Sequence, residues 1–458
     1  MKFLKKNTSF RIKSGIVLLG IVCFYISCNT PSGASSSSVS NAGEASAPTD
    51  DYYNGEHIRY ENYSYRDNIK TIILAREGFE MSAPIIELNS GQKLVLDFDD
   101  LEGGTKDYSY TYIHCDANWQ PSDISESQYL SGFNEDKIVN YSFSFNTIQK
   151  YTHYNVIFPN QNMVPMLSGN YILLVFENYD KTKIVLTQRF MILDYKVSVK
   201  SRCHRATLGS ERESRQEIDF SIEHGGYPIN NPMGDIKVVI RQNDNWNMII
   251  KDLKPLFISA NELDYNYDEE NVFDGGKEFR QFDIRSLRLK TEFVEDIQYD
   301  SSMNHVYLRP DRVRAGKMYF FDNDINGKYV IRIREGRNNN IEADYSLVHF
   351  KLEYPEVIPD GNVYISGAMC NNTYSDESKM KYDASKSAYV KELFLKQGYY
   401  NYRYIFLKDG SKRPDLGLIE GNHSDTENDY SIFVYHRPPG SRYDMLIGLK
   451  QLNSIKLN

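Results

Sequence analysis

The sequence predicts an all-β protein, built as tandem β-sandwich (immunoglobulin-like) domains that follow a signal peptide and a flexible tether. Three observations carry that prediction. No long stripe of apolar residues at helical spacing runs anywhere in the chain. Tyr, Phe, Val and Ile recur instead at every second position, the period of a strand with one buried face. Gly, Asn and Asp interrupt these runs at the short intervals of a sandwich.

The N-terminus is the first element. Lys2, Lys5, Lys6, Arg11 and Lys13 form a basic region without an acid, and an apolar run from Ile16 to Ile26 ends at Ser27-Cys28. The run is shorter than the roughly 20 residues a membrane span needs, and it has the flanks of a secretory signal. A small residue before a cysteine at that point resembles a bacterial lipobox, which makes Cys28 the expected lipidation site. Tyr25 stands where an aliphatic residue is usual, so ordinary signal cleavage is the rival. Residues 29–48 are rich in Ser and Ala, and twenty coil-like residues reach on the order of 25 Å. Glu44 is the first acid after Cys28, whereas outward-facing lipoproteins of the Bacteroidota type, which this N-terminus resembles, carry acids directly after the cysteine, so the resemblance implies the periplasmic face of the outer membrane.

The formal charge is −9, and removal of the five basic residues of 1–27 leaves the remainder more acidic still. An acidic surface repels nucleic acid and anionic headgroups, so no nucleic-acid partner is expected. Of the five cysteines, Cys23 leaves with the signal and Cys28 would carry lipid. Cys115, Cys203 and Cys370 are too few for a disulfide framework, so hydrophobic cores must hold the fold.

Leu94 to Phe98, Tyr108 to His114, Val139 to Phe145, Tyr154 to Phe158, Tyr171 to Phe176 and Phe190 to Val199 are the strands expected of a first unit. Ile236 to Arg241, Glu278 to Leu289, Val306 to Arg309, Tyr319 to Phe321, Tyr329 to Ile333 and Tyr345 to Leu352 follow in a second. Asn326-Gly327 reads as a hairpin turn, because both positions tolerate positive φ. Pro355 to Gly361 reads as a boundary, and Val363 to Ser366 and Leu395 to Phe406 supply strands of a third unit. Only Ile124 to Tyr129 and Leu393 to Lys396 suggest short helical turns. The expected layout is a signal peptide over 1–27, a lipidated tether and lead-in over 28–66, an N-terminal sandwich over 67–200, a central β-rich domain over 201–356 and a C-terminal immunoglobulin-like (early-set) domain over 357–458.

Each cluster that could carry chemistry has a simpler reading. Asp322-Asn323-Asp324-Ile325-Asn326-Gly327 matches half a calcium loop, but Ile333 stands where the bidentate acid belongs, which leaves a polar turn. His114-Cys115-Asp116, with His153, lacks the spacing of a zinc site, and adjacent strand residues point to opposite faces. Asp97 and Asp99 share a strand face, with Asp100 and Glu102 beyond, yet the cluster runs straight into a Gly-Gly turn rather than towards a facing acid. Phe279 to Arg285 interleaves cations with aromatics, and Arg–aromatic packing across strands explains it. No phosphate loop, nucleophile elbow or zinc-protease motif is present in the sequence. No catalytic residue, cofactor, metal or small-molecule substrate is therefore expected. Of the 36 tyrosines much is expected in the core, and the surplus suggests a protein partner.

Two resemblances add to this. Val363-Tyr364-Ile365-Ser366-Gly367, Met380-Lys381-Tyr382-Asp383, Leu395 to Phe406 and Glu427-Asn428-Asp429 resemble an immunoglobulin-like glycogen-binding module. Thr373-Tyr374 follows Asn371-Asn372 where that family shows tryptophan. The run Tyr112 to Asp123, with Gly132 to Asp136, Tyr141 to Thr147, Tyr151 to Tyr154, Phe158-Pro159-Asn160, Ser168 to Tyr171, Gly275 to Arg280, Phe282 to Leu287 and Asp324 to Gly327, resembles the type IX secretion system plug protein family of Bacteroidota. That resemblance implies a non-enzymatic protein that binds the giant outer-membrane β-barrel translocon and seals its periplasmic opening when no cargo is in transit. The alternative is a periplasmic glycan-binding lipoprotein. Asn118-Trp119-Gln120-Pro121 is the candidate functional loop, with a buried tryptophan capping the sandwich as the other reading.

Overall fold

A computed structural model describes residues 57–455. The expected signal peptide, Cys28 and the Ser/Ala tether lie outside the described residues. The described chain is nearly all β, in three sandwiches, as the alternation predicts.

The first sandwich pairs two sheets. One runs Tyr63–Ser64, Asp180–Leu193, Gly169–Glu177, Tyr108–Cys115, Asp136–Lys137, and the other Ile69–Arg76, Leu94–Asp100, Thr152–Phe158, Asn140–Phe143. Between them lie Phe98, Tyr108, Tyr110, Tyr112, Tyr154, Phe158, Tyr171 and Phe190. The lead-in belongs to this body from its first described residues. Tyr63 pairs with Thr187, and the Tyr60 carbonyl accepts from Arg189 Nε at 2.8 Å. The boundary at 66/67 is therefore too late, because a short strand with few apolar residues gives no alternation to read.

The second sandwich corrects the layout further. Its first sheet holds Ser198–Arg205, Arg215–Glu223, Glu262–Tyr265 and Phe257–Ile258. Its second runs Ile249–Lys251, Ile236–Gln242, Asp429–His436, Met445–Asn453. Two of these strands come from the C-terminal end of the chain: Val239 pairs with Phe433 and Ile240 with Ile432. The third sandwich is an insertion between the two parts. Its Tyr345–Glu353 strand pairs with Ala388–Lys396, and Tyr329–Ile331 pairs with Gly398–Lys408. The expected division at 356/357 thus cuts through both sheets of one sandwich. The Pro-spaced stretch that suggested it is only a connection between strands.

Asn326 (φ 52°) and Gly327 (φ 79°) form a turn, and the Lys328 N–H donates to Ile325 O at 3.1 Å, but it closes no hairpin, because no strand directly precedes it and Tyr329–Ile331 pairs with Gly398–Lys408. A Cβ on Gly327 would lie 2.5 Å from the Phe279 ring, so only glycine fits. Tyr319 to Phe321 forms no strand, and Leu393 to Lys396 lies in the strand Ala388–Lys396 rather than in a helix. Glu126–Tyr129 is the short helix read at Ile124 to Tyr129.

The outer face of the first sandwich meets the second over a further apolar cluster. Cys115, Ala117, Trp119, Ile172, Met191, Val239, Phe433, Tyr435 and Leu446 are buried there. Both faces of Gly169–Glu177 are covered, the outer one by the second sandwich at Ile172 and by Ile58, Tyr65 and Ile184 at Leu174 and Phe176. An interface this apolar behaves as a core rather than a hinge. The tyrosines also find their explanation inside: the twelve largest fully buried side chains are all tyrosine. Most of their hydroxyls donate to internal acceptors, as Tyr404 does to Asp311 at 2.8 Å and Tyr430 to Gln216 at 2.6 Å. The excess therefore serves the core first.

Candidate interaction surface

The sequence clusters resolve as structural groups. His114 is buried, with Nδ1 2.9 Å from Ser122 Oγ and Nε2 3.2 Å from Ser168 O, and burial lowers its pKa to about 4. Cys115 points the other way, into the apolar joint with the second sandwich, where burial pushes its thiol up to about 12. The two make no nucleophile pair. Trp119 is buried in that joint, edge-on to Trp246 with centroids 5.0 Å apart and beneath the Arg189 guanidinium at 4.6 Å. Trp119 thus takes the buried reading, while Asn118, Gln120 and Pro121 are exposed.

Asp97 and Asp99 do share a face, and a buried charge cluster forms on it. His153, on the neighbouring strand, places Nδ1 2.8 Å from Asp99 and Nε2 3.1 Å from Asp97. Lys396, from the third sandwich, donates to Asp99 at 2.6 Å, and so does the Tyr345 hydroxyl at 2.6 Å. Lys396 also donates to Asn340 O at 2.7 Å and lies 4.2 Å from the centre of the Tyr151 ring. Burial alone would raise the Asp99 carboxyl, but Lys396 and His153 reverse that and hold it below its ordinary value. Burial likewise opposes the charged form of His153, and its hydrogen bonds to Asp97 and Asp99 prevail, so its pKa is raised. Two carboxylates against two cations make a near-neutral cluster without a facing cleft. Its chemistry is that of a joint between sandwiches.

The Asp322 to Gly327 segment holds no calcium-loop geometry: Asp324 instead accepts from the backbone N–H groups of Phe279 and Asn326. In Phe279 to Arg285, Arg280 is paired with Asp311 at 2.7 Å and Glu420 at 3.0 Å, and Arg285 with Asp283 at 2.6 Å. Those cations are not free to meet a phosphate backbone. Asn371 and Asn372 both adopt φ 53°, and the Asn372 carbonyl accepts from Asn247 Nδ2 at 2.6 Å. They line a cleft of ≈ 190 Å³ with Trp246, whose ring stacks on Phe433 and lies beneath Arg241. The ring is thereby engaged by the protein's own side chains.

The surface that stands out is the edge of the first sandwich. The strand Asn140–Phe143 pairs only with Thr152–Phe158, so its other side is open. Val139, Tyr141, Phe143 and Phe145 alternate along it and are 66, 48, 56 and 66% exposed. Tyr141 stands opposite the fully buried Tyr154, so this stripe continues the core face beyond the cover of the opposing sheet. The Ser144 N–H donates inward to Tyr151 O at 2.9 Å. Antiparallel alternation then turns the N–H and C=O of Tyr141 and Phe143 outward. Further along, the Phe145 N–H donates to Ile341 O of the third sandwich at 2.8 Å, so the open stretch is short and bounded. Asn140–Phe143 carries neither a charge nor a proline, the devices by which edge strands avoid pairing with other chains. The alternation at Val139 to Phe145 was legible in the sequence, but that its apolar face is left uncovered was not.

The described residues thus form three joined β-sandwiches, the first with an open apolar edge. Residues 69–194 match the family model "Type 9 secretion system plug protein 1st domain", which coincides with the first sandwich. A crystal structure of a hypothetical protein from Parabacteroides merdae is 32% identical with a TM-score of 0.84, over 87% of this chain and 100% of that one. The partial N-terminal region of an enterococcal surface protein, at 10% identity and TM-score 0.16, covers 86% of this chain and 95% of that one and carries no argument. No curated protein matches the chain. The chain belongs to the type 9 secretion system plug protein family.

Proposed function

We propose that this protein is the plug of a type IX translocon: it binds the giant outer-membrane barrel and closes its periplasmic opening while no cargo is in transit. The observation that carries the reading is a coincidence of position. The sandwich that matches the plug domain model is also the one with the open apolar edge at Val139 to Phe145. A stopper must not deform under load, and three sandwiches joined through apolar and buried ionic contacts suit that task. On this reading the protein turns over no substrate. A lipid on Cys28 and the Ser/Ala tether keep a released plug near the pore and raise its effective concentration there.

Mild-detergent purification of the tagged chain from its own outer membranes, read by mass spectrometry, tests this. One very large barrel protein is expected to co-purify and to be lost when cargo fills the pore. Recovery of the chain alone, or with polysaccharide-uptake proteins, would overturn the plug reading.

A further inference from the structure

On the second sandwich, away from the apolar edge, a metal-ligating set comes together that no motif announces. In the sheet register His204 stands directly opposite Glu217, and Arg202 opposite Asp219. Side chains of these four positions share one face, while Cys203, between them, packs towards the core. His204 Nε2 lies 2.7 Å from Asp219 Oδ2 and 3.6 Å from Glu217 Oε1.

The hydrogen bonds around the set are those of a prepared ligand shell. His204 Nδ1 faces the Arg205 carbonyl at 2.8 Å, and a carbonyl can only accept, so Nδ1 carries the proton. Nε2 is thereby turned towards the two carboxylates, and one ligand atom from each of the three residues lies within 4.8 Å of the others. A backbone carbonyl on the second nitrogen is also the usual orienting partner of a metal-bound histidine. Glu217 is held by Thr207, whose N–H donates to Oε2 at 2.6 Å and whose hydroxyl donates to Oε1 at 3.1 Å. Asn271 Nδ2 steadies Asp219 Oδ1 at 3.3 Å, and the Asn266 amide lies 2.8 and 3.1 Å from its two oxygens. One guanidinium nitrogen of Arg202 already sits among these atoms, 3.0 Å from Asp219 Oδ2 and 3.3 Å from His204 Nε2. Its side chain is 72% exposed and free to swing away.

We propose that His204, Glu217 and Asp219 form a binding site for a divalent first-row transition metal, with Arg202 as the displaceable occupant of the cation position. One imidazole and two carboxylates suit ions of the manganese-to-zinc group. Three protein ligands leave an open coordination position. The ion would fasten the edge strand Ser198–Arg205 to its neighbour.

The test is calorimetric titration of the full chain with zinc chloride, with thermal melting alongside. One equivalent is expected to bind and to raise the melting temperature. His204→Gln should lower the affinity at least tenfold and abolish the shift, and Arg202→Ala should raise the affinity by removing the competing cation. A charge network closed by Arg202 alone makes the opposite forecast for Arg202→Ala. Absence of binding by the unmodified chain, or binding that His204→Gln leaves unchanged, overturns the proposal. The second result would place the zinc elsewhere on the chain.

Discussion

Asp99 and Lys396 are each about 1% exposed at the side chain and touch across two sandwiches. Removing one partner of such a pair leaves a buried charge unanswered, at a cost of about 3–5 kcal/mol. Lys396→Met or Asp99→Asn alone should therefore destabilise the protein by that order in denaturant unfolding. The double variant should recover much of the loss. Losses that simply add would show that the two groups are not coupled. Glu420 is a second buried charge, paired with Arg280 and Arg314 at 3.0 and 2.7 Å. Burial would raise its carboxyl, but the two arginines hold it at about 2. A carboxyl whose folded value lies below its unfolded value of about 4.3 contributes stability that is complete above that pH. The contribution is lost as the pH falls towards 2. Glu420→Gln should flatten that part of an acid titration followed by circular dichroism, and an unchanged acid limb would exclude Glu420 as its source.

At the scale of the element, the edge strand Asn140–Phe143 makes a specific forecast. The outward N–H groups of Tyr141 and Phe143 take no part in the internal ladder, so proline can stand there without breaking a native hydrogen bond. Phe143→Pro should change stability by about 1 kcal/mol or less while removing one donor from any added strand. If a partner pairs with this edge, Phe143→Pro should reduce co-purification of the barrel more than Phe143→Leu does. Equal retention by both variants would move the interface elsewhere. The alternation that marks this strand was visible in the sequence, because alternation is a local property. The run Tyr319 to Phe321, continuously aromatic rather than alternating, also reads as a strand and forms none.

For the whole molecule, the insertion of the third sandwich decides where the chain can be cut. Its two ends meet, since Thr426 Oγ1 donates to Gly276 O at 2.9 Å. Replacing 277–425 by a short glycine linker should leave the first two sandwiches folded, with a single cooperative melt. Truncation after residue 356 should not give a folded protein, because it removes Asp429–His436 and Met445–Asn453 from the second sandwich. A truncated chain that melts cooperatively would contradict the observed strand pairing.

The sequence by itself determined the all-β class, most strand positions, the Asn326-Gly327 turn and membership of the plug family. Each of these rests on patterns within a few residues or on ordered strings along the chain. The tertiary structure alone decided that Val239 pairs with Phe433, that Asp99 meets Lys396, that Trp119 is a buried joint and that His204 faces Glu217. It also decided that the stripe at Val139 to Phe145 is left uncovered. Those facts depend on register and on contacts between residues far apart in the chain. A one-residue change of register would turn each of these side chains to the opposite face without altering the local pattern.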